Sequence, residues 1–317
     1  MSAPALLLPS PVEALDDERL DAAGVRVLLK RDDLIHPELP GNKWRKLKYN
    51  LEAAEAAGAA RLLTFGGAYS NHIRAVAAAG ALFGFETIGV IRGEAYDPLN
   101  PSLQFAVDHG MRLAYLDRQT YRRKTGPDVL ERLGAEHGDF YLVPEGGSNA
   151  LAVRGCAELV GEIDEDFDVV CCGVGTGGTL AGIAAGLASG REPGSEPGRE
   201  PGQLAIGFSS LKGGDFLSDD VAALQRAALG EVTENWEIET GYHFGGYARV
   251  KPELTQFVDD FQARHGVRLD RVYVAKMMYG VYDLVARGRF PAGTRIVAVI
   301  TGPDFASRPR WSSDEAG

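Results

Sequence analysis

The chain has 317 residues, 45% of them hydrophobic, which is enough for a sizeable core and for two domains. Its 44 acidic residues outnumber 33 basic ones and leave a net charge of -11. A surplus of that sign repels phosphate backbones and anionic headgroups, so nucleic acid and membrane are excluded as partners.

In chain order, Leu6-Leu7-Leu8 comes first, with no basic segment before it and no apolar run long enough to span a bilayer. Neither a signal peptide nor a membrane span is expected, and a cytoplasmic protein follows. The next marked stretch is Leu39-Pro40-Gly41-Asn42-Lys43-Trp44-Arg45-Lys46. Gly41 permits a tight turn, Asn42 can cap, and Lys43 then starts a helix. The positive end of the helix dipole disfavours a charged lysine there and makes it a better amine nucleophile. Taken alone, the stretch reads more readily as a solvated basic face.

From residue 61 the chain alternates β and α patterns. Arg61–Phe65 reads as a strand, Asn71–Phe83 as an Ala-rich helix, Thr87–Ile91 as a strand, Ser102–His109 as a helix and Arg112–Leu116 as a strand. Such alternation predicts a parallel sheet with helices on its faces. Between the first strand and helix lies Gly66-Gly67-Ala68-Tyr69-Ser70-Asn71-His72. Ser70 and Asn71 fall where helix N–H groups converge on an anion such as a carboxylate, although Ser and Asn are also ordinary caps.

A second block runs from Tyr141-Leu142-Val143-Pro144 to a strand at Phe167–Cys172, a helix from Thr179 and a strand at Leu204–Phe208. The turn Gly173-Val174-Gly175-Thr176-Gly177-Gly178-Thr179 lets backbone N–H groups approach a phosphate, with hydroxyls from Thr176 and Thr179. It lacks the lysine of a P-loop and the acidic residue of a dinucleotide site. Cys156, Cys171 and Cys172 have no metal-binding spacing and read as small buried thiols, so no metal is expected. Residues 190–203 hold Glu-Pro-Gly three times and read as a solvated loop. Gly241-Tyr242-His243-Phe244-Gly245-Gly246-Tyr247, Arg271–Lys276 and Val297–Gly302 complete the pattern; the plainest reading of their tyrosines is core packing.

Together these motifs resemble the fold-type-II pyridoxal-phosphate family of 1-aminocyclopropane-1-carboxylate (ACC) deaminase and D-cysteine desulfhydrase. The resemblance runs from about residue 28 to 301. It rests most specifically on Lys30-Arg31-Asp32-Asp33-Leu34 followed by Gly41-Asn42-Lys43, on Ser70-Asn71-His72, and on Gly146-Gly147-Ser148-Asn149-Ala150. It implies an α/β, two-domain tryptophan-synthase-β-like fold with parallel-rich sheets. Residues 1–49 with 155–317 would form the large domain and 50–154 the small one, with pyridoxal 5'-phosphate between them and a homodimer as the assembly.

Residue by residue, Lys43 matches the family's Schiff-base lysine, and Ser70 its serine nucleophile and carboxylate ligand. Asn71 matches the asparagine that bonds the cofactor's phenolic oxygen, and His72 follows it in the substrate-binding stretch. Gly175, Thr176, Gly177, Gly178 and Thr179 match the phosphate cup. Tyr273 and Tyr247 match two active-site tyrosines, and Thr301 the residue facing the pyridine nitrogen. Deaminases carry Glu then Leu at the positions of Val274 and Thr301, and desulfhydrases Thr then Thr. Ala275 and Pro303 also depart from the family pattern, and all three departures are expected to lie against the ring. The resemblance therefore implies β-elimination and deamination of a small amino acid, in the manner of D-cysteine desulfhydrase. ACC deamination and cofactor binding with little catalysis are the other functions it admits.

Overall fold

The computed structural model describes residues 4–95, 97–189 and 202–302. The Glu-Pro-Gly triplets, apart from Gly202, and Pro303 lie outside the described residues.

Ten strands are described: β1 (Val12–Leu15), β2 (Arg26–Lys30), β3 (Arg61–Gly66), β4 (Glu86–Arg92), β5 (Arg112–Leu116), β6 (Tyr141–Val143), β7 (Val169–Val174), β8 (Leu204–Ser209), β9 (Trp236–Glu239) and β10 (Arg295–Val299). They form a six-stranded sheet in the order β1-β2-β10-β7-β8-β9 and a four-stranded sheet in the order β5-β4-β3-β6. Every pairing is parallel except β1 with β2. Strands covered on both faces read as continuous apolar runs, and all six residues of β7 are buried. The fold is thus α/β with parallel-rich sheets and flanking helices.

The helices start and stop where the sequence supplies caps. Ser70 accepts from the N–H groups of His72 and Ile73 and opens the helix Asn71–Phe83, which Gly84 ends in the left-handed conformation. Asn100 caps Pro101–Asp108 with proline at its first position. Asn149 caps Ala150–Gly161 through the N–H of Ala152. Among the described residues, no helix is long and apolar enough to cross a membrane.

Three helices, Gly41–Ala56, Ala150–Gly161 and Gly178–Ser189, pack on one another. A Cβ at Gly155 would lie 2.0 Å from the Arg45 carbonyl oxygen, so only glycine allows the first two to touch. Buried charges tie the same helices to the sheet. Arg45, 2% exposed, donates to both carboxylate oxygens of Asp32 (2.7 and 2.8 Å) and of Glu162 (2.9 and 2.7 Å). Lys30 donates to Glu162 (2.8 Å) and to the Ser10 carbonyl (2.6 Å). Two cations facing two anions, with their hydrogen bonds satisfied, is the arrangement that makes buried charge tolerable. A solvated basic face on the Gly41–Ala56 helix is therefore ruled out, since Arg45 and Lys46 are both buried. Cys156, Cys171 and Cys172 are free and buried.

Candidate active site

The segment that carries Lys43 is placed by Gly41. Its φ is +56°, and a Cβ there would lie 1.8 Å from the Thr301 carbonyl oxygen. Glycine thus lets the start of the Gly41–Ala56 helix touch the chain just after β10. Lys43 and Thr301, 258 positions apart by their numbers, share one wall as a result. The N-cap is Pro40 without a side-chain bond, not Asn42 as the sequence suggested. Asn42 lies in the first turn, and its amide donates to the Thr179 hydroxyl (3.2 Å).

A cavity of about 480 Å³ opens here, within the usual range for a small-molecule site. It is lined from the Lys43 helix by Asn42, Lys43 and Lys46, and from the start of the Asn71–Phe83 helix by Ser70, Asn71 and His72. The turn after β7 adds Gly175, Thr176, Gly177 and Thr179, and the C-terminal part adds Tyr247, Asp270, Tyr273 and Thr301. Gly178 lies behind the lining, where a Cβ would come 2.7 Å from the Ser148 hydroxyl. The other residues to which the resemblance gave a catalytic, cofactor or substrate role line this one cavity.

Burial, and then the charge of Lys46, pull the Lys43 amine down to about 7. Desolvation is therefore the larger cause, rather than the helix terminus that the sequence suggested. Lys46, 3% exposed, is lowered as well, chiefly by burial. Its Nζ reaches the Ser148 hydroxyl (3.0 Å), the Gly146 carbonyl (3.3 Å) and the Thr176 hydroxyl (3.4 Å). Lys46 was missed by the sequence reading, although it stands three residues after Lys43 and so on the same helix face.

His72 is 2% exposed, and its Nε2 lies 2.7 Å from the Thr64 hydroxyl. Burial holds its pKa well below 6.5, so it is neutral at physiological pH and supplies no charge to a substrate. Ser70 Oγ accepts the two capping bonds, at 3.2 and 3.4 Å, and keeps its own O–H to donate.

Tyr273 begins the helix Val274–Ala286, and its ring meets that of Tyr247 edge-on at 6.1 Å between centroids. Its seat depends on glycine: a Cβ at Gly175 would lie 2.9 Å from the ring. Asp270 fixes the turn by accepting from the N–H groups of Val272 (3.1 Å), Tyr273 (2.8 Å) and Val274 (3.2 Å). Burial pushes the Tyr273 hydroxyl well above 10, and the neighbouring Tyr247 hydroxyl raises it further. Tyr247 is also raised, first by desolvation. Both hydroxyls therefore keep their protons at neutral pH and act as donors.

Two expectations need correction. Val274 does not face the cavity; it is fully buried in the apolar cluster with Cys171, Met277 and Ala298. Ala275 lies in the same cluster. Helix begins at residue 274, so successive side chains turn by about 100° and these two point into the core beside the sheet.

A family model described as pyridoxal-phosphate dependent enzyme matches residues 6–302. A protein of Pyrococcus horikoshii with the provisional name 1-aminocyclopropane-1-carboxylate deaminase is 31% identical over 286 residues, covering 88% of this chain and 85% of that one. The D-cysteine desulfhydrase of Salmonella newport is 29% identical over 309 residues, covering 93% and 91%. Among solved structures, an ACC deaminase homologue superposes with a TM-score of 0.78 at 28% identity, covering 95% of this chain and 91% of that one. The processed threonine deaminase isoform 2 of Solanum lycopersicum shares the fold, with a TM-score of 0.65 at 18% identity over 95% and 81%.

Proposed function

Because the chain belongs to the pyridoxal-phosphate-dependent enzyme family, we propose that it eliminates a β-substituent from a small amino acid and releases a keto acid and ammonia. D-cysteine is the type of substrate we infer, with sulfide as the leaving group. One observation carries this reading: a buried amine near neutrality, a helix start suited to a carboxylate, a glycine-rich turn and two protonated tyrosines line one cavity.

The residues present fit the cofactor. The turn Gly173–Gly178 is packed so closely on Tyr273 and Ser148 that side chains at Gly175 or Gly178 would fill the space. The helix Gly178–Ser189 opens beside the cavity, so its first N–H groups, the hydroxyls of Thr176 and Thr179, and the Lys46 ammonium would hold the phosphate. Lys43 would hold the cofactor covalently, Asn71 its phenolic oxygen, and Thr301 would face the ring nitrogen with a neutral hydroxyl. When bound, pyridoxal phosphate supplies an electron sink for the pair left behind by the substrate's α-hydrogen.

The protein groups divide the remaining work. The Ser70 O–H and the Asn71 N–H at the start of the Asn71–Phe83 helix bind the substrate carboxylate. With a pKa of about 7, the Lys43 amine is substantially neutral at physiological pH and takes the α-proton. Tyr247 delivers a proton to the departing sulfur, and Tyr273, which holds its own proton more tightly, supports it through their hydrogen bond. His72, neutral and buried, shapes the cavity wall without supplying charge.

ACC deamination is the second reading, favoured by the name of the Pyrococcus relative. It calls for a strongly protonated ring, and a neutral Thr301 does not provide that. Residues 1–49 with 155–317 and residues 50–154 are proposed as the two domains, in a cytoplasmic homodimer. Keto-acid release from D-cysteine, L-cysteine, β-chloroalanine and ACC tests the proposal. Faster release from D-cysteine or β-chloroalanine than from ACC is expected. Robust ACC turnover would replace the first reading with the second, and no release from any of the four would remove both.

A further inference from the structure

The geometry points to Lys276 as a positioning residue that fixes Tyr247 over the cavity, by clamping the turn on which Tyr247 stands. Lys276 lies in the Val274–Ala286 helix and is fully buried. Its Nζ does not line the cavity. It donates to the carbonyl oxygens of Gly246 (2.8 Å) and His243 (3.0 Å), with a longer contact of 3.5 Å to that of Ser210 at the end of β8. Its three donors are thus directed at three backbone acceptors.

The clamped segment has little else to hold it. Residues 241–249 form no helix or strand. Phe244 and Ala248 have φ of 52° and 53°, a region that L side chains rarely adopt. Other anchors join the segment to the same helix: the Tyr242 hydroxyl donates to Asp283 (2.7 Å), the Phe244 ring meets that of Tyr279 at 5.0 Å, and the Tyr247 ring meets that of Tyr273 edge-on at 6.1 Å. The first two precede the Gly245–Gly246 pair, whose backbone is the most permissive in the segment, and the third is a ring contact that does not hold the backbone. Beyond that pair, the carbonyl of Gly246 is the last backbone group before Tyr247, and Lys276 holds it. Three closures complete the turn: Gly245 N–H to His243 Nδ1 (2.9 Å), Gly246 N–H to His243 O (3.0 Å) and Arg249 N–H to Gly246 O (3.1 Å). The same ammonium therefore grips both carbonyls that the turn itself uses. One helix thus presents Tyr273 to the cavity and, one turn on, secures the partner that Tyr273 bonds.

The catalytic consequence rests on the proposed role of Tyr247 as proton donor, whereas the clamp does not. The test compares wild type, Lys276→Met, Lys276→Gln and Tyr247→Phe as cofactor-loaded proteins. The first readout is amide exchange in the peptide 242–250, with β7 as the reference. Hydrogen bonds to a charged donor are worth roughly ten- to hundredfold in an equilibrium. Exchange in 242–250 should therefore quicken by at least about tenfold in Lys276→Met, and less in Lys276→Gln, with β7 unchanged. The second readout is turnover of D-cysteine. Lys276→Met should lower kcat more than it raises KM, and Lys276→Met combined with Tyr247→Phe should be no slower than the slower single variant. Unchanged exchange in 242–250 would overturn the clamp. Exchange quickened equally in β7, or failure of both Lys276 variants to fold, would make Lys276 general core support and overturn it too. A silent Tyr247→Phe would remove the donor role of Tyr247, and the exchange result would still decide the clamp.

Discussion

The two sides of the Gly41–Ala56 helix treat positive charge in opposite ways. On the side toward β2 and the Ala150–Gly161 helix, Arg45 is surrounded by Asp32 and Glu162. Burial opposes its charge, and the two carboxylates outweigh burial and raise its pKa. On the cavity side, Lys46 has hydroxyls and a carbonyl, Lys43 has the Lys46 charge beside it with only a weak opposing pull from Asp270, neither forms an ion pair with a carboxylate among the described residues, and both are lowered. Lys43, Arg45 and Lys46 lie within four residues of one another, so burial alone does not separate them. What separates them is whether a carboxylate comes with the cation. A paired guanidinium fixes the helix, and an unpaired amine is left able to react.

The sharpest way to break this contrast is Lys43→Ala. Covalent capture of pyridoxal phosphate, followed by absorbance and by mass after borohydride reduction, should be abolished, and Lys276→Ala should retain it. The reverse result would move the reactive amine off the cavity side. Arg45→Met should come next in size. It leaves Asp32 buried without its cation and Glu162 with Lys30 alone, at a cost of about 3–5 kcal/mol in denaturant unfolding. Lys46→Met should change stability by less than about 1 kcal/mol, because no carboxylate is orphaned, while weakening cofactor binding.

Acid sharpens the same comparison. At Glu162 burial acts to raise the pKa, but the Arg45 and Lys30 bonds prevail and hold it at about 2 against an ordinary 4.5. As pH falls, the unfolded chain therefore takes up this proton first. The stabilisation is complete above about pH 4.5 and is lost progressively toward pH 2. Melting curves of wild type should show that loss, and Arg45→Met should show less of it. The smallest expected effect on activity is that of Val274→Thr. A hydroxyl placed in the apolar cluster should cost about 1–3 kcal/mol without raising elimination activity. A gain in activity would put this side chain within reach of the ring after all.

The region from Arg61 to Leu116 was legible in the sequence almost to the residue. β3 and β4 are buried apolar runs beside the half-buried edge strand β5, and Ser70 caps the helix after β3 with local bonds that follow from the sequence. The site residues were legible through motifs at helix starts and turns. Asp32, Arg45 and Glu162 were not legible as a unit, because their partnership spans 130 positions and depends on how three elements pack. Lys46 carried a usable signal in its spacing from Lys43. The direction of Val274 carried none, since only the onset of helix at that residue turns it toward the core. The antiparallel edge strand β1 was missed too, having four residues and little apolar periodicity.

The three buried cysteines give this chain a built-in gauge of its own integrity. Burial pushes each thiol upward, which suppresses the reactive thiolate, and none is exposed. Cys156 sits in a tight seam between two helices, since a Cβ at Gly182 would lie 2.3 Å from the Cys156 Cβ. A thiol reagent can therefore read only those molecules in which that seam has parted. Cys156 labelling thus counts opening of the scaffold behind Lys43, independently of whether any substrate is ever found.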